Sequence, residues 1–202
     1  MTIAPASEQT HMRPDLDAIV SVIEPKRSVL DLGCGDGELL ARLVAEKNVN
    51  ARGVELDEKN VRASIGKGLS VRQGNIEEGL ADYRDKAFDY VVLSQTLAFL
   101  KRPQPVVREM LRVGDCAVIS FENAGYWKSR LRFLGGHGFG ASLCSDEDRE
   151  RAITLDHFAE FARCADAKIV SALYSTDNRQ VGSSPIWFAQ HAVYVLKAAL
   201  GS

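Results

Sequence analysis

The sequence predicts a doubly wound α/β fold: a mostly parallel, seven-stranded sheet, helices on both faces, and an antiparallel last strand. Three observations predict it. Short apolar runs alternate with helical periodicity through residue 120, a βαβαβ order that calls for parallel pairing and crossover helices. One run, Val29-Leu30-Asp31-Leu32, leads into Gly33-Cys34-Gly35-Asp36-Gly37 and then directly into a helix at Glu38. Gly33, Glu55, Asn75 and Ser94 end four successive strands, and a parallel sheet brings those ends to the edge where open α/β sheets bind ligands.

In chain order, residues 1–12 read as a loose start. Asp15 to Ile23 places Leu16, Ile19, Val20 and Ile23 at helical spacing, and Glu24-Pro25 ends that helix because the residue before proline is pushed out of the helical region. The first strand and a helix from Glu38 to Lys47 follow. Ala51 to Asp57 is the second strand and its carboxyl end; Asp57 can cap a helix over Glu58 to Ile65, closed by Gly66 and Gly68. Leu69 to Gln73 is a short third strand. Phe88 to Leu93 is a near-continuous apolar run, as expected at the centre of a parallel sheet. A helix from Gln104 to Val113 leads to a fifth strand, Cys116 to Ser120. Regularity then breaks over residues 121–153, a variable insertion rich in glycine and acids, of the length that lids and binding loops have. Thr154 caps a helix over Asp156 to Cys164. Ile169 to Leu173 and His191 to Leu196 make two last strands, a hairpin at one sheet edge, joined by the polar stretch Ser175 to Ser184.

The 202 residues fit one domain, with no repeats and no internal boundary. A net charge of −2 gives no electrostatic case for nucleic acid or an anionic membrane surface, and no apolar run approaches the roughly 20 residues a bilayer requires. Cys34, Cys116, Cys144 and Cys164 are widely spaced, which points to reduced thiols in the cytoplasm. Self-association stays open.

The glycine turn sets the ligand class. A dinucleotide fingerprint needs a third glycine where Glu38 stands, and the Gly-Lys-Ser/Thr of a P-loop is absent. The form is D-x-G-x-G-x-G, with Asp31 at the strand end. A carboxylate there repels a pyrophosphate but suits a ligand bearing an ammonium and a sulfonium, whose own carboxylate reaches N–H groups of the turn and the helix start. That describes S-adenosylmethionine, or S-adenosylhomocysteine after transfer. Asp31, Gly33, Cys34, Gly35 and Gly37 are the candidates for its amino-acid end. Glu55, about 20 residues beyond the glycines, is placed to accept hydrogen bonds from two ribose hydroxyls. Leu56 would pack on the adenine face, Asn75 and Ile76 would meet its edge, and Ser94 and Gln95 would line the same crevice.

Other residues admit two readings each. Arg13 is either a partner for the ligand carboxylate or half of a surface ion pair. Trp127, with Tyr126 and Phe133, covers the ligand, forms a partner surface or packs as core. His137 is a general base or a surface histidine, and His157 lies within a helix without a catalytic reading. Cys144 with Asp146, Glu147 and Asp148 lacks a histidine at metal-ligand spacing, and Asp146 to Arg151 reads as a solvated helical face. Cys34 offers its backbone. No catalytic residue is assigned.

The order D-L-G-C-G-D-G, G-V-E-L-D, Q-G-N and F-D-Y-V-V-L-S resembles a class I S-adenosylmethionine-dependent methyltransferase. The run Asp89 to Val113, with Leu93-Ser94-Gln95-Thr96-Leu97, Arg102-Pro103 and Arg108 to Gly114, resembles the methionine biosynthesis protein MetW family. Ser120 to Trp127, Arg130-Leu131 and Arg13-Pro14-Asp15-Leu16 fit the same family. The likeness covers most of residues 12–134 and, more weakly, 154–197; at 135–153 a Gly-rich, acidic loop stands where the family has a Tyr- and Pro-rich one. The resemblance implies a methyltransferase-like, Rossmann-like fold that supports a homoserine O-acyltransferase in methionine synthesis, acting as its partner. A free-standing methyltransferase of a small molecule is the alternative, and a nicotinamide enzyme a third.

Overall fold

The computed structural model describes residues 13–134, 151–176 and 179–199. Seven helices, α1 (Pro14–Val22), α2 (Glu38–Lys47), α3 (Glu58–Gly66), α4 (Pro103–Val113), α5 (Trp127–Leu134), α6 (Leu155–Cys164) and the single turn α7 (Pro185–Phe188), surround eight strands. These are β1 (Ser28–Leu32), β2 (Asn50–Glu55), β3 (Ser70–Gln73), β4 (Phe88–Ser94), β5 (Gly114–Glu122), β6 (Ala167–Thr176), β7 (Arg179–Gln180) and β8 (His191–Ala198). They form one sheet in the order β3-β2-β1-β4-β5-β8-β6-β7. β1 to β5 are parallel, and β8 runs antiparallel between β5 and β6.

The expected seven strands become eight because β7, only two residues long, folds back on β6 through Ser175↔Gln180 and Thr176↔Arg179. It lies inside the stretch read as a polar connection. A two-residue edge strand without apolar residues carries no alternation, so its pairing leaves no trace in the sequence. The same holds for α7, one turn long, and for α5, which occupies part of the segment read as irregular. α5 leaves Trp127, Leu131 and Leu134 exposed, so its described apolar side chains form no buried stripe of the kind that marks a helix in sequence.

Where the pattern is strong, the elements fall where expected. Leu16, Ile19 and Val20 of α1 and Ile23 just past its end are at most 5% exposed and cover one face of the sheet together with Leu39 and Leu43 of α2. The other face is covered by Val106, Val107, Met110 and Leu111 of α4 and by Phe158 of α6, which packs against Phe121 and Tyr194. Each apolar side chain taken fully from water contributes about 1.5–3 kcal/mol, so these layers hold the sheet edge rigid for a ligand. Asp57 caps α3 by accepting the Asn60 N–H at 3.0 Å, and Thr154 caps α6 by accepting that of His157 at 3.3 Å. No helix among the described residues is long and apolar enough to cross a membrane.

Candidate functional site

The turn between β1 and α2 requires its glycines for different reasons. Gly33, Gly35 and Gly37 all have left-handed backbone, with φ of +70°, +56° and +83°. A Cβ at Gly33 would lie 2.8 Å from Thr96 Oγ1, and one at Gly37 only 2.4 Å from Leu69 Cδ1. Around Gly35 such an atom would meet nothing within 4 Å among the described residues, which leaves room for a ligand at the middle of the turn. Gly53 of β2, which sequence reasoning passed over, completes the fit: a Cβ there would press on Cys34 Sγ at 2.6 Å. Its signal was a glycine inside a strand, which often marks a close approach of another chain segment.

The main-chain donors of this turn are engaged within the chain. Val54 O accepts from Gly33 N–H at 2.8 Å and from Cys34 N–H at 3.3 Å, and Cys34 O accepts from Gly37 N–H at 3.0 Å. Glu55 Oε2 accepts from Gly35 N–H at 2.8 Å. At the start of α2, Asp36 stands where an anion was expected. A hydrogen bond from Lys67 at 2.7 Å, with further ones from the Glu38 and Asp36 backbone, holds its carboxyl below the usual range.

Glu55 ends β2 facing the turn. Its residue is 8% exposed, and its second oxygen accepts the Asp57 N–H at 2.9 Å. Two backbone donors, one on each oxygen, fix the plane of the carboxylate while each oxygen keeps a lone pair for another donor. Beside it Leu56 is 65% exposed, a large apolar side chain lying against solvent at the sheet edge. At the end of β3, Asn75 accepts the Glu77 N–H at 3.0 Å and donates to Glu78 at 3.2 Å, so its side chain caps a short 3-10 turn. Ile76 is buried in the main core rather than facing the edge.

Ser94 and Asp31 share one sheet face, because Asp31 pairs with Val92 and Ser94 lies two residues further along β4. Asp31 is 1% exposed, and its Oδ1 has no hydrogen-bond partner among the described residues. Burial pushes its carboxyl up to about 7; Glu55 and Asp15 add to the rise, and the Arg13 guanidinium opposes it. Beside it lies a cluster that sequence reasoning did not assemble. Asp15 Oδ2 accepts from Ser94 Oγ and Ser120 Oγ, each at 2.9 Å, and from Arg13 Nη2 at 2.9 Å. Burial works against ionised Asp15, but the Arg13 guanidinium and the two hydroxyls outweigh it and hold the carboxyl below its ordinary value. Gln95, next along, has φ +53° and a buried Nε2 without a partner among the described residues. A non-glycine residue in that conformation stores strain of order 1 kcal/mol or more, as happens at binding sites.

The structure thus brings Asp31, Gly33, Cys34, Gly35, Gly37, Glu55, Ser94 and Gln95 to one rim. Cys34 is buried, and burial with the nearby Asp31 and Glu55 charges pushes its thiol up to about 12, which leaves it no part as a nucleophile. Tyr126 is buried and accepts from Thr176, whereas Trp127 is 38% exposed under Lys128. His137, Cys144, Asp146, Glu147 and Asp148 lie outside the described residues, as does the Phe133 side chain. Among the described residues no three His, Cys, Asp or Glu side chains gather around a possible metal position.

The chain resembles known proteins at three levels. A curated relative, the bifunctional methionine biosynthesis protein MetXA/MetW of Rhodopirellula baltica, is 36% identical over 128 residues, 59% of this chain and 20% of that protein. Ajmaline N-methyltransferase of Rauvolfia serpentina is 28% identical over 95 residues, 43% of this chain and 32% of that one, so the chain spans a third or less of either relative. Among solved structures, an S-adenosylmethionine-dependent methyltransferase from Archaeoglobus fulgidus superposes with a TM-score of 0.68 at 19% identity, covering 91% of each chain. A possible histamine N-methyltransferase from Thermotoga maritima superposes at 0.66 with 16% identity, covering 91% of this chain and 87% of that one; both likenesses establish the methyltransferase fold. The family model of methionine biosynthesis protein MetW matches residues 13–196, and the chain belongs to that family.

Proposed function

We propose that the chain binds S-adenosylmethionine or S-adenosylhomocysteine across the carboxyl ends of β1 to β4 and serves a homoserine O-acyltransferase of methionine synthesis as its partner. The observation that supports the ligand most directly is Glu55, a nearly buried carboxylate held flat by two backbone N–H groups at the rim of the turn. A pair of vicinal hydroxyls is the donor set such a carboxylate suits. Leu56, exposed beside it, offers an apolar surface for a purine. Asp31, buried with an oxygen that has no hydrogen-bond partner among the described residues, is a group that an ammonium would satisfy. The residues therefore fit the ligand, and an acidic rim of this kind disfavours a pyrophosphate.

When bound, S-adenosylmethionine supplies a methyl group activated by the sulfonium. The chain's own residues hold the ribose at Glu55, receive the ammonium at Asp31 and line the crevice with Ser94 and Gln95. No described side chain is assigned to proton transfer; positioning alone can supply much of the rate of such a transfer.

The partner reading rests on the bifunctional MetXA/MetW relative, which joins the two names in one protein. The described cysteines Cys34, Cys116 and Cys164 are unpaired thiols, in keeping with a reducing, cytoplasmic setting. Co-purification with the acyltransferase, and its activity with and without this chain, tests the proposal; an acyltransferase indifferent to the chain would overturn it. The likeness to ajmaline N-methyltransferase favours a second reading, a free-standing methyltransferase of a small molecule. S-adenosylhomocysteine formed with an acceptor and no protein partner would select it.

A further inference from the structure

The two edges of the sheet are finished differently. β3 closes one side with four residues, Ser70–Gln73, too short to template a further strand. β6 closes the other with ten, Ala167–Thr176, and β7 pairs only with Ser175 and Thr176. Val181 N–H donates to Tyr174 O at 2.8 Å, and beyond it the chain leads to α7. From Ala167 to Leu173, about 23 Å of strand at the usual rise, no strand among the described residues pairs with the outer side of β6. An edge of that length offers a row of main-chain donors and acceptors to another chain.

Beside this edge, between α6 and the ends of β6 and β8, lies a groove of about 810 Å³. Ala159 and Ala162 of α6 and Ile169 of β6 give it a small, apolar wall. Its charged side chains are Arg163, Lys168 and Lys197, with no acid among the described residues that line it. None of the three forms an ion pair among the described residues, and Asp166, the acid between Arg163 and Lys168 in sequence, is held by Arg108 at 2.9 Å. Lys168 and Lys197 stand opposite each other across β6 and β8. Like charges at a cross-strand pair repel, and an anionic neighbour would offset that repulsion.

The same features set the edge against its own copy. The register slips between Ile169 and Ser171, so Val170 forms a bulge, and a bulge and a lysine on an edge strand both hinder self-pairing. Two such edges side by side would also bring both sets of cations to one seam. A chain that pairs here has to bring carboxylates.

We infer that the outer edge of β6 takes an extended, acidic segment of a partner protein as an added strand. Its main chain pairs with Ala167 to Leu173, alternate apolar side chains enter the groove, and its carboxylates meet Arg163, Lys168 and Lys197. This rests on the partner reading and names the surface for it: the acyltransferase is the protein that brings the segment. Ala167 pairs with Ala198, and Leu196 with Ala117 near the start of β5, so the groove lies at the amino ends of the parallel strands. Glu55 lies at their carboxyl ends, so partner and nucleoside do not compete for one place.

The test is calorimetric titration of the full chain with purified acyltransferase, together with hydrogen exchange of the chain's amides, free and bound. Reversing both lysines, Lys168→Glu with Lys197→Glu, is expected to weaken the complex about 10- to 100-fold, because it sets like charges against the segment. Lys128→Glu, a charge reversal on α5, is expected to leave the affinity unchanged. In the wild-type complex, exchange within Ala167 to Leu173 is expected to slow by about 10-fold or more as the edge amides gain partners. Wild-type affinity in the double variant, or unaltered exchange along β6 in the complex, would overturn the inference and leave the partner reading standing. Loss of binding in Lys128→Glu alone would move the interface to α5 and overturn it as well. An acyltransferase that does not bind the wild-type chain would overturn the partner reading, and the inference with it. Sedimentation of the chain alone is expected to give a monomer; a dimer that the double variant breaks would assign the edge to a second copy instead. The exchange measurement needs no variant, so it decides even if a charge reversal unfolds the chain.

Discussion

Replacing Asp31 by asparagine asks whether its charge is kept for a cation from outside the chain. In the structure the carboxyl is 1% exposed, has an oxygen without a hydrogen-bond partner among the described residues, and is pushed up to about 7 by burial. An ammonium ligand favours the ionised form, so binding should release a proton and tighten as pH rises. With ionisation centred on that value, about a tenth of the sites are charged at pH 6 and about nine tenths at pH 8, an affinity rise of roughly 10-fold. Asparagine has nearly the same shape but no charge. It should lose about 1.5–3 kcal/mol of binding at pH 8, and the pH dependence should vanish. The assay is titration calorimetry with S-adenosylhomocysteine at pH 6, 7 and 8, repeated in two buffers of different ionisation enthalpy to count the proton. An affinity flat across this range in the wild type, or unaltered by the substitution, would refute the reasoning.

The same group links stability to pH in the unliganded chain. Folded Asp31 keeps its proton to about 7 and unfolded Asp31 only to 3.8, so the fold binds a proton that unfolding releases, and this contribution weakens as pH rises between those values. Between pH 5 and 8 the loss should be roughly 2–3 kcal/mol, read from urea midpoints and absent in Asp31→Asn. Gly37→Ala should destabilise by about 2–4 kcal/mol, because its Cβ would meet Leu69 Cδ1 in a left-handed backbone; a melting temperature within a degree of wild type would contradict the packing of the turn. Asp57→Ala removes the cap of α3 and should cost about 1 kcal/mol in a denaturant titration, with no loss if the Asn60 hydrogen bond contributes nothing.

The geometry of the candidate site that lies within one strand-turn-helix unit and the next strand end was legible in the sequence. Asp31, the glycines and Glu55 are held by local geometry: a strand end, a turn with positive φ and a fixed spacing to the next strand end. Helix α2 begins and ends at Glu38 and Lys47 as its pattern indicates, because apolar spacing and the flanking glycine and asparagine agree. Asp15 was visible as a helix residue and as part of the Arg13-to-Leu16 motif, not as a member of the site. Its partners Ser94 and Ser120 are 79 and 105 residues away, and nothing short of the assembled sheet brings them together. Asn75 and Ile76 were placed at the right strand end, yet side-chain direction there depends on a 3-10 turn with no sequence pattern of its own, which directs Asn75 to a cap and Ile76 to the core. The internal partners of the turn N–H groups were hidden likewise, since they depend on how closely β2 approaches the turn at Gly53.

The central claim is that this edge of the sheet grips a nucleoside by Glu55, and one titration tests it. Wild-type chain mixed with S-adenosylhomocysteine should bind one equivalent, and Glu55→Ala should weaken that binding by about 1–3 kcal/mol while the fold is retained. A folded wild-type chain that takes up no ligand, or a Glu55→Ala chain that binds as tightly as wild type, would contradict it.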